Sequence, residues 1–406
     1  MISPAVRYQH NRALRREADY GERQRAVLNA KANQLAWQEI RSWPGYAPTP
    51  LIEMPGLARR VGVGAVLYKD EGQRFRLESF KALGGAYAVA RFLAMDLAAR
   101  GIDNSSADIL KRGDYRQYTE ALTVAAATDG NHGRSVAWGA QMFHCHCIIY
   151  LHEHVSHTRE QEIARYGAEI RRVSGGYDRS VHQCADDARA NGWRLIADTS
   201  ANGDDAAPSL VMQGYTLLAE EMREQMQSAR PTHIFAPAAV GGLAAAMVGH
   251  FWEVEGASRP RIIAVQPMTA DAIARSVSAG NLTPVPGEVE TFMACLAAAE
   301  VSPVAWEVLE HGLDGVVTIP DEAARETMRL LASGRDGDPF IVAGESGCAA
   351  TAGFLAAAAN RDVAHALGLG PQSCVAVVGS EGATDMEIYR RTVGMTPDDV
   401  RGRSRQ

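Results

Sequence analysis

From about residue 60 onward, short runs of β-branched and apolar residues alternate with longer alanine-rich stretches whose apolar positions recur every three or four residues. The runs at 65–69, 122–126, 145–151, 169–173, 194–197, 233–236, 261–265, 316–319 and 374–378 predict strands. The stretches at 80–99, 132–141, 179–191, 210–227 and 321–332 predict helices. Such alternation predicts an α/β fold of mostly parallel sheets flanked by helices, with ligands at the loops beyond the strand carboxyl ends. The polar stretches 101–117 and 202–208 read as surface loops near domain crossings, and residues 1–45, polar with helical spacing, as an arm suited to packing on a neighbour.

Composition narrows the class. The chain of 406 residues is 46% hydrophobic and 22% charged, an ordinary globular balance that excludes fibrous and disordered readings. Lys+Arg 41 against Asp+Glu 48 gives a net charge of −7 with no basic stripe, so neither nucleic acid nor an anionic membrane is an expected partner. Six cysteines without a disulfide-like framework, and an N-terminus without an apolar core, are read as cytoplasmic. The apolar stretch 235–249 contains Pro237 and is too short to cross a bilayer.

Four segments carry candidate chemistry. In YKDEGQRFRLESFKALGGAYAVARF (68–92), a strand end leads through a polar loop to a helix with Lys81 in its first turn. The helix N-terminus disfavours an ammonium there, which suits a Schiff-base lysine, although a solvated lysine has the same spacing. Gly84 and Gly85 inside that helix imply a close approach, by a ligand or by another helix. In ALTVAAATDGNHGRSVAWGAQMF (121–143), Asp129 and Asn131 follow a buried strand and are either ligand-facing or helix caps. In THIFAPAAVGGLAAAMVGHF (232–251), the small residues Ala239, Val240, Gly241, Gly242 and Leu243 join strand to helix and form either a phosphate-binding turn or simply a tight one. CVAVVGSEGATD (374–385) ends a strand in Ser380, a neutral hydroxyl, after the GESG run at 344–347.

A metal reading is tested by FHCHCIIYLHEHVSH (143–157), which has five histidines and two cysteines but no His-Glu-x-x-His spacing. Cys145 and Cys147 alternate with Ile149 on an expected strand and are read as buried small hydrophobes, so no metal ligand is assigned.

Taken together, PTPL (48–51), Ser79-Phe80-Lys81, Gly130-Asn131-His132, the small-residue turn and the strand ending in Ser380 resemble, in their order, the fold type II (β-family) pyridoxal 5′-phosphate enzymes. These include the tryptophan synthase β chain, threonine dehydratase and cysteine synthase. KDEGQRF with SFKALGGAYA, ATDGNHG, IADT with VMQGY, GESG and SEGATD resemble most the ammonia-lyases of 2,3-diaminopropionate.

The resemblance implies a two-domain α/β fold, with residues 1–86 and 197–406 forming a large cofactor-binding domain and 87–196 a small inserted one. It implies that Lys81 holds pyridoxal phosphate covalently and moves the α-proton on one face. It further implies that Phe80 packs beside the ring, Asn131 bonds its phenolic oxygen, Ala239 to Leu243 hold its phosphate and Ser380 meets the pyridine nitrogen. Asp129, where the dehydratases carry serine, would be a second base on the opposite face, and Asp198 would pair with the β-ammonium of the substrate. The implied reaction is α,β-elimination of D- or L-diaminopropionate to pyruvate and two ammonia by a cytoplasmic homodimer. A dehydratase of threonine, serine or another β-hydroxy amino acid is the alternative, and a regulatory protein binding metal or cofactor without turnover a third. The chain departs from the usual Arg-Phe-Gly-Leu-Asn-Ala-Phe-Lys motif: it has Arg76 in place of glycine, Glu78 in place of asparagine and Ser79 in place of alanine.

Overall fold

In the computed structural model, which describes residues 5–102, 107–128, 130–200, 205–226 and 230–403, every run expected to be a strand is one. In chain order the strands are β1 (Arg7–His10), β2 (Leu51–Glu53), β3 (Ala65–Asp70), β4 (Thr123–Ala127), β5 (His146–His152) and β6 (Glu169–Val173), followed by β7 (Arg194–Leu195), β8 (His233–Pro237), β9 (Arg261–Pro267), β10 (Gly315–Ile319) and β11 (Cys374–Gly379). Neither β1 nor β2 is legible from periodicity. Both are short antiparallel edge strands, half-buried at most, and so lack an apolar run.

The chain forms two compact units, one of Met1–Asn29, Pro48–Phe80 and Leu218–Gln406, the other of Ala30–Ala47 and Lys81–Leu217. Residues 30–47 join the second unit through aromatic packing. The Trp43 ring lies 5.7 Å from Trp138 and 6.0 Å from Phe143, and Trp37 Nε1 donates to Thr216 Oγ1 at 3.0 Å.

The larger unit is built on a seven-stranded sheet of order β1-β10-β9-β8-β11-β3-β2, parallel except at its two edges. The chain runs outward from β8 through β9 to β10 and then returns to β11 on the other side of β8. The switch point of this sheet therefore falls between β8 and β11, where Val377 pairs with Phe235. All five residues of β8 and of β10 are buried, as a sheet covered on both faces requires. The expected arm at 1–45 is instead part of this chain's own packing. β1 pairs with β10, and Tyr20 and Leu28 crowd so closely on Gly249 that a Cβ there would come within about 3 Å of both.

The smaller unit has a four-stranded parallel sheet of order β6-β5-β4-β7. Its chain likewise runs outward from β4 through β5 to β6 and comes back to β7, which puts the switch point between β4 and β7. The helix Lys81–Ala99 is long and apolar enough to cross a membrane, but here it is largely buried against the helix Asn131–Phe143. Gly84 and Gly85 report that packing. A Cβ on Gly84 would meet the Tyr215 ring at 2.4 Å, and one on Gly85 would meet Ser135 Oγ at 2.7 Å, so helices rather than a ligand make the close approach. The expected loop at 101–117 contains two short helices, Ala107–Arg112 and Arg116–Thr119; of 202–208, residues 202–204 lie outside the described residues, and from Ala206 the chain is in the helix Ala206–Gln225.

Candidate active site

In the smaller unit, the segments leaving β4 and β7 are tied together at the switch point. Ile196 N–H donates to the Ala125 carbonyl at 2.8 Å, and His132 Nε2 lies 2.7 Å from the Ile196 carbonyl oxygen. A carbonyl only accepts, so Nε2 carries the proton and Nδ1 is a bare acceptor. That Nδ1 is buried without a partner among the described residues. Burial, opposed by Asp198 and reinforced by Lys81, lowers the His132 pKa, which keeps the ring neutral.

Lys81 is the first residue of the helix Lys81–Ala99, and its Nζ donates to Asp198 Oδ2 at 2.6 Å. Burial pushes the Asp198 carboxyl up, but the Lys81 ammonium outweighs it and holds the acid well below the ordinary carboxylate range. The helix terminus and Asp198 act on the Lys81 ammonium in opposite senses, and periodicity alone reveals only the first. Tyr215, whose ring centre is 5.8 Å from Lys81 Nζ, stays protonated because burial pushes its hydroxyl up to about 12. The sequence reading gives Tyr215 no role, although Gly84 marks the space its ring occupies.

Asn131 is buried at the first position of its helix and is not the cap. Thr128 Oγ1 takes the amides of Gly130 at 3.0 Å and Gly133 at 3.1 Å, while Asn131 Oδ1 accepts from Arg134 Nη2 at 3.4 Å. Gly130 has φ 156° and ψ −87°, and a Cβ on Gly133 would meet Thr128 Cγ2 at 2.3 Å, so glycine is needed at both. Asp129 lies outside the described residues.

In the larger unit, β8 leads into Ala239 and Val240, half-buried, and then Gly241, Gly242 and Leu243, all buried. Gly241 has φ 100°, and a Cβ there would meet Leu309 Cδ1 at 2.9 Å. The helix Gly242–Glu255 starts behind it with Gly241, which has no side chain to cap the first amides, at its N-cap. A small-residue turn with uncapped amides and a helix dipole behind them is suited to a phosphate.

Next to this turn, β11 leads into Ser380, which is buried. On its other side Phe80 N–H donates to the Ser380 carbonyl at 3.1 Å and Ser79 bridges to Glu381. The phosphate turn, Ser380 and the segment leading to Lys81 are thus consecutive along the carboxyl edge of one sheet. Behind that segment lies a buried ionic network. Lys69 Nζ donates to Thr49 O, Glu221 Oε2 and Gln225 Oε1 at 2.8, 2.7 and 3.0 Å, and Arg74 clamps both Glu71 and Glu221. Three acceptors fill the three N–H directions of an ammonium, so Lys69 is charged although burial pulls its pKa down. Thr49, from PTPL, completes the network with Glu71 at 2.5 Å.

Cys147 and Ile149 are buried on β5, whereas Cys145 precedes the strand and is half-buried. Among the described residues no three His, Cys, Asp or Glu side chains are placed to hold a metal ion.

The larger unit thus offers a small-residue turn suited to a phosphate and a buried serine at its switch point, and the smaller unit a lysine at a helix start and a buried asparagine behind a glycine; the residues of each unit fit pyridoxal 5′-phosphate. The family model described as "Pyridoxal-phosphate dependent enzyme" matches residues 42–378. Diaminopropionate ammonia-lyase of Escherichia coli K12 is 37% identical over 366 residues, 89% of this chain and 90% of that protein. Two crystal structures of the E. coli enzyme, one the holo form and one in complex with D-serine, superpose with TM-scores of 0.87 and 0.86 at 32% identity. They cover 96% of this chain and 96% and 97% of theirs. The chain therefore belongs to the pyridoxal-phosphate dependent enzymes and, among them, to the family of the diaminopropionate ammonia-lyases, and its cofactor is pyridoxal 5′-phosphate.

Proposed function

We propose that this chain catalyses the elimination of 2,3-diaminopropionate, consuming one water and yielding pyruvate and two ammonia. The observation that carries the substrate assignment is the ionised Asp198 carboxylate, 2.6 Å from Lys81 Nζ in a largely buried setting. With the cofactor bound, Lys81 would be held by it and Asp198 would pair with the β-ammonium of the substrate.

When bound, pyridoxal phosphate supplies an electron sink for the charge left on Cα. Lys81 holds it and moves the α-proton on one face, and Asp129 takes the α-proton from the other, so both enantiomers are accepted. Asp198 pairs with the β-amine and keeps it an ammonium, so that breaking the Cβ–N bond with its electron pair on nitrogen releases neutral ammonia. Asn131 orients the phenolic oxygen, Phe80 packs on the ring, and the amides of Ala239 to Leu243 bind the phosphate. Ser380 meets the pyridine nitrogen with a neutral hydroxyl, which favours elimination over transamination.

A cytoplasmic homodimer belongs to the same reading; the six cysteines, all free, are in keeping with a reducing compartment, and sedimentation would give the oligomeric state. The reaction is tested by assaying oxo-acid release from a panel of D- and L-amino acids. Diaminopropionate is expected to have the highest kcat/KM, and threonine or serine in that place would replace the lyase with a dehydratase.

A further inference from the structure

The backbone leading to Lys81 takes a path that ordinary residues avoid. Phe75, Arg76 and Glu78 have φ of 50°, 58° and 52°, in the left-handed region. An ordinary side chain is disfavoured there roughly tenfold or more relative to glycine, and asparagine tolerates it better than most. The related motif carries glycine and asparagine at 76 and 78; this chain carries arginine and glutamate.

What holds Glu78 comes from the chain's C-terminal helix, Pro397–Arg403. The Arg401 guanidinium pairs with the Glu78 carboxylate and also reaches Asp398 at 3.5 Å. Both partners line a cavity of about 450 Å³ with Ala383, Met386 and Arg390, so the pair is open to solvent and salt. The Glu78 carbonyl accepts from Gly382 N–H at 2.8 Å, and two residues later Phe80 N–H bonds the Ser380 carbonyl. The conformation of Glu78 is thereby transmitted to Ser380 and, through Phe80, to Lys81.

We propose that the Glu78–Arg401 pair is a latch that holds residues 75–80 in this path, and that both are positioning residues for the elimination. The proposal rests on the role assigned to Lys81. It is testable in the holoenzyme by kcat, KM and the long-wavelength absorbance of lysine-bound cofactor, in Arg401→Ala, Glu78→Gln and the double variant Arg401→Ala with Glu78→Asn.

Arg401→Ala and Glu78→Gln are each expected to lower kcat roughly tenfold, the cost of one unsupported left-handed residue, with KM within about twofold. Both should shift the absorbance. Adding Glu78→Asn to Arg401→Ala should restore kcat and the spectrum, because asparagine holds the path without a partner. A double variant as impaired as Arg401→Ala, or an Arg401→Ala enzyme with wild-type kcat and spectrum, would overturn the latch. If diaminopropionate were not the substrate, the absorbance comparison would still decide, so failure of the latch and failure of the substrate assignment are distinguishable.

Discussion

Lys81 Nζ and Asp198 Oδ2 are 2.6 Å apart although 117 positions separate them in the chain. The pair joins the start of one helix to the segment after β7, and it keeps a carboxylate ionised where burial alone would protonate it. Asp198→Asn keeps the shape but removes the charge. Steady-state kinetics should show kcat/KM for diaminopropionate falling by about 10²–10⁴, the range for a lost proton-transfer group, while any turnover of serine falls less because its leaving group is not cationic. Equal losses on both substrates would remove Asp198 from the leaving-group step.

Asp129→Asn separates the two faces of the substrate. Turnover of the D-enantiomer should drop by about 10²–10⁴, and that of the L-enantiomer by less, since Lys81 works from the other side. Equal losses for the two enantiomers would rule out two bases.

Ser380→Asp should still bind pyridoxal phosphate, by absorbance, and lose most elimination activity, since a carboxylate facing the pyridine nitrogen would stabilise its protonated form, as a neutral hydroxyl would not. Wild-type rates would mean that Ser380 does not face that nitrogen.

The central strands, the long helices and the order of the cofactor motifs were legible because each rests on local pattern: a buried run, a helical period, or a turn of small residues. Edge strands β1 and β2 were not, because they are too short and too exposed to carry a run. Thr128 as the cap before Asn131 was also hidden. Asp129 and Asn131 are equally good caps by type, and only the folded turn shows which oxygen meets the amides. Nothing local to Lys69, Glu71, Arg74 or Glu221 tells that Arg74 and Glu221, 147 positions apart, meet in the core. The left-handed path at Arg76 and Glu78 was masked by residue types that normally argue against it.

That buried network sets an acid limit on stability. Burial pushes the Glu221 carboxyl up, but Arg74 and Lys69 outweigh it and hold it at about 2, against an ordinary 4.5. A depressed folded-state pKa stabilises fully above about 4.5 and loses its contribution as pH falls toward about 2. Glu221→Gln should therefore cost about 3–5 kcal/mol at neutral pH, by leaving buried cations undercompensated, and its denaturation midpoint should vary less than that of the wild type below pH 4.5. Parallel pH profiles in urea melts would contradict ionised Glu221.

The stoichiometry of the products tests the account most directly. With purified holoenzyme and diaminopropionate, pyruvate and ammonia are measured in the same reaction, and two ammonia should accompany each pyruvate, one from Cβ and one from hydrolysis of the remaining imine. One ammonia per oxo acid, with serine or threonine as the better substrate, would contradict it.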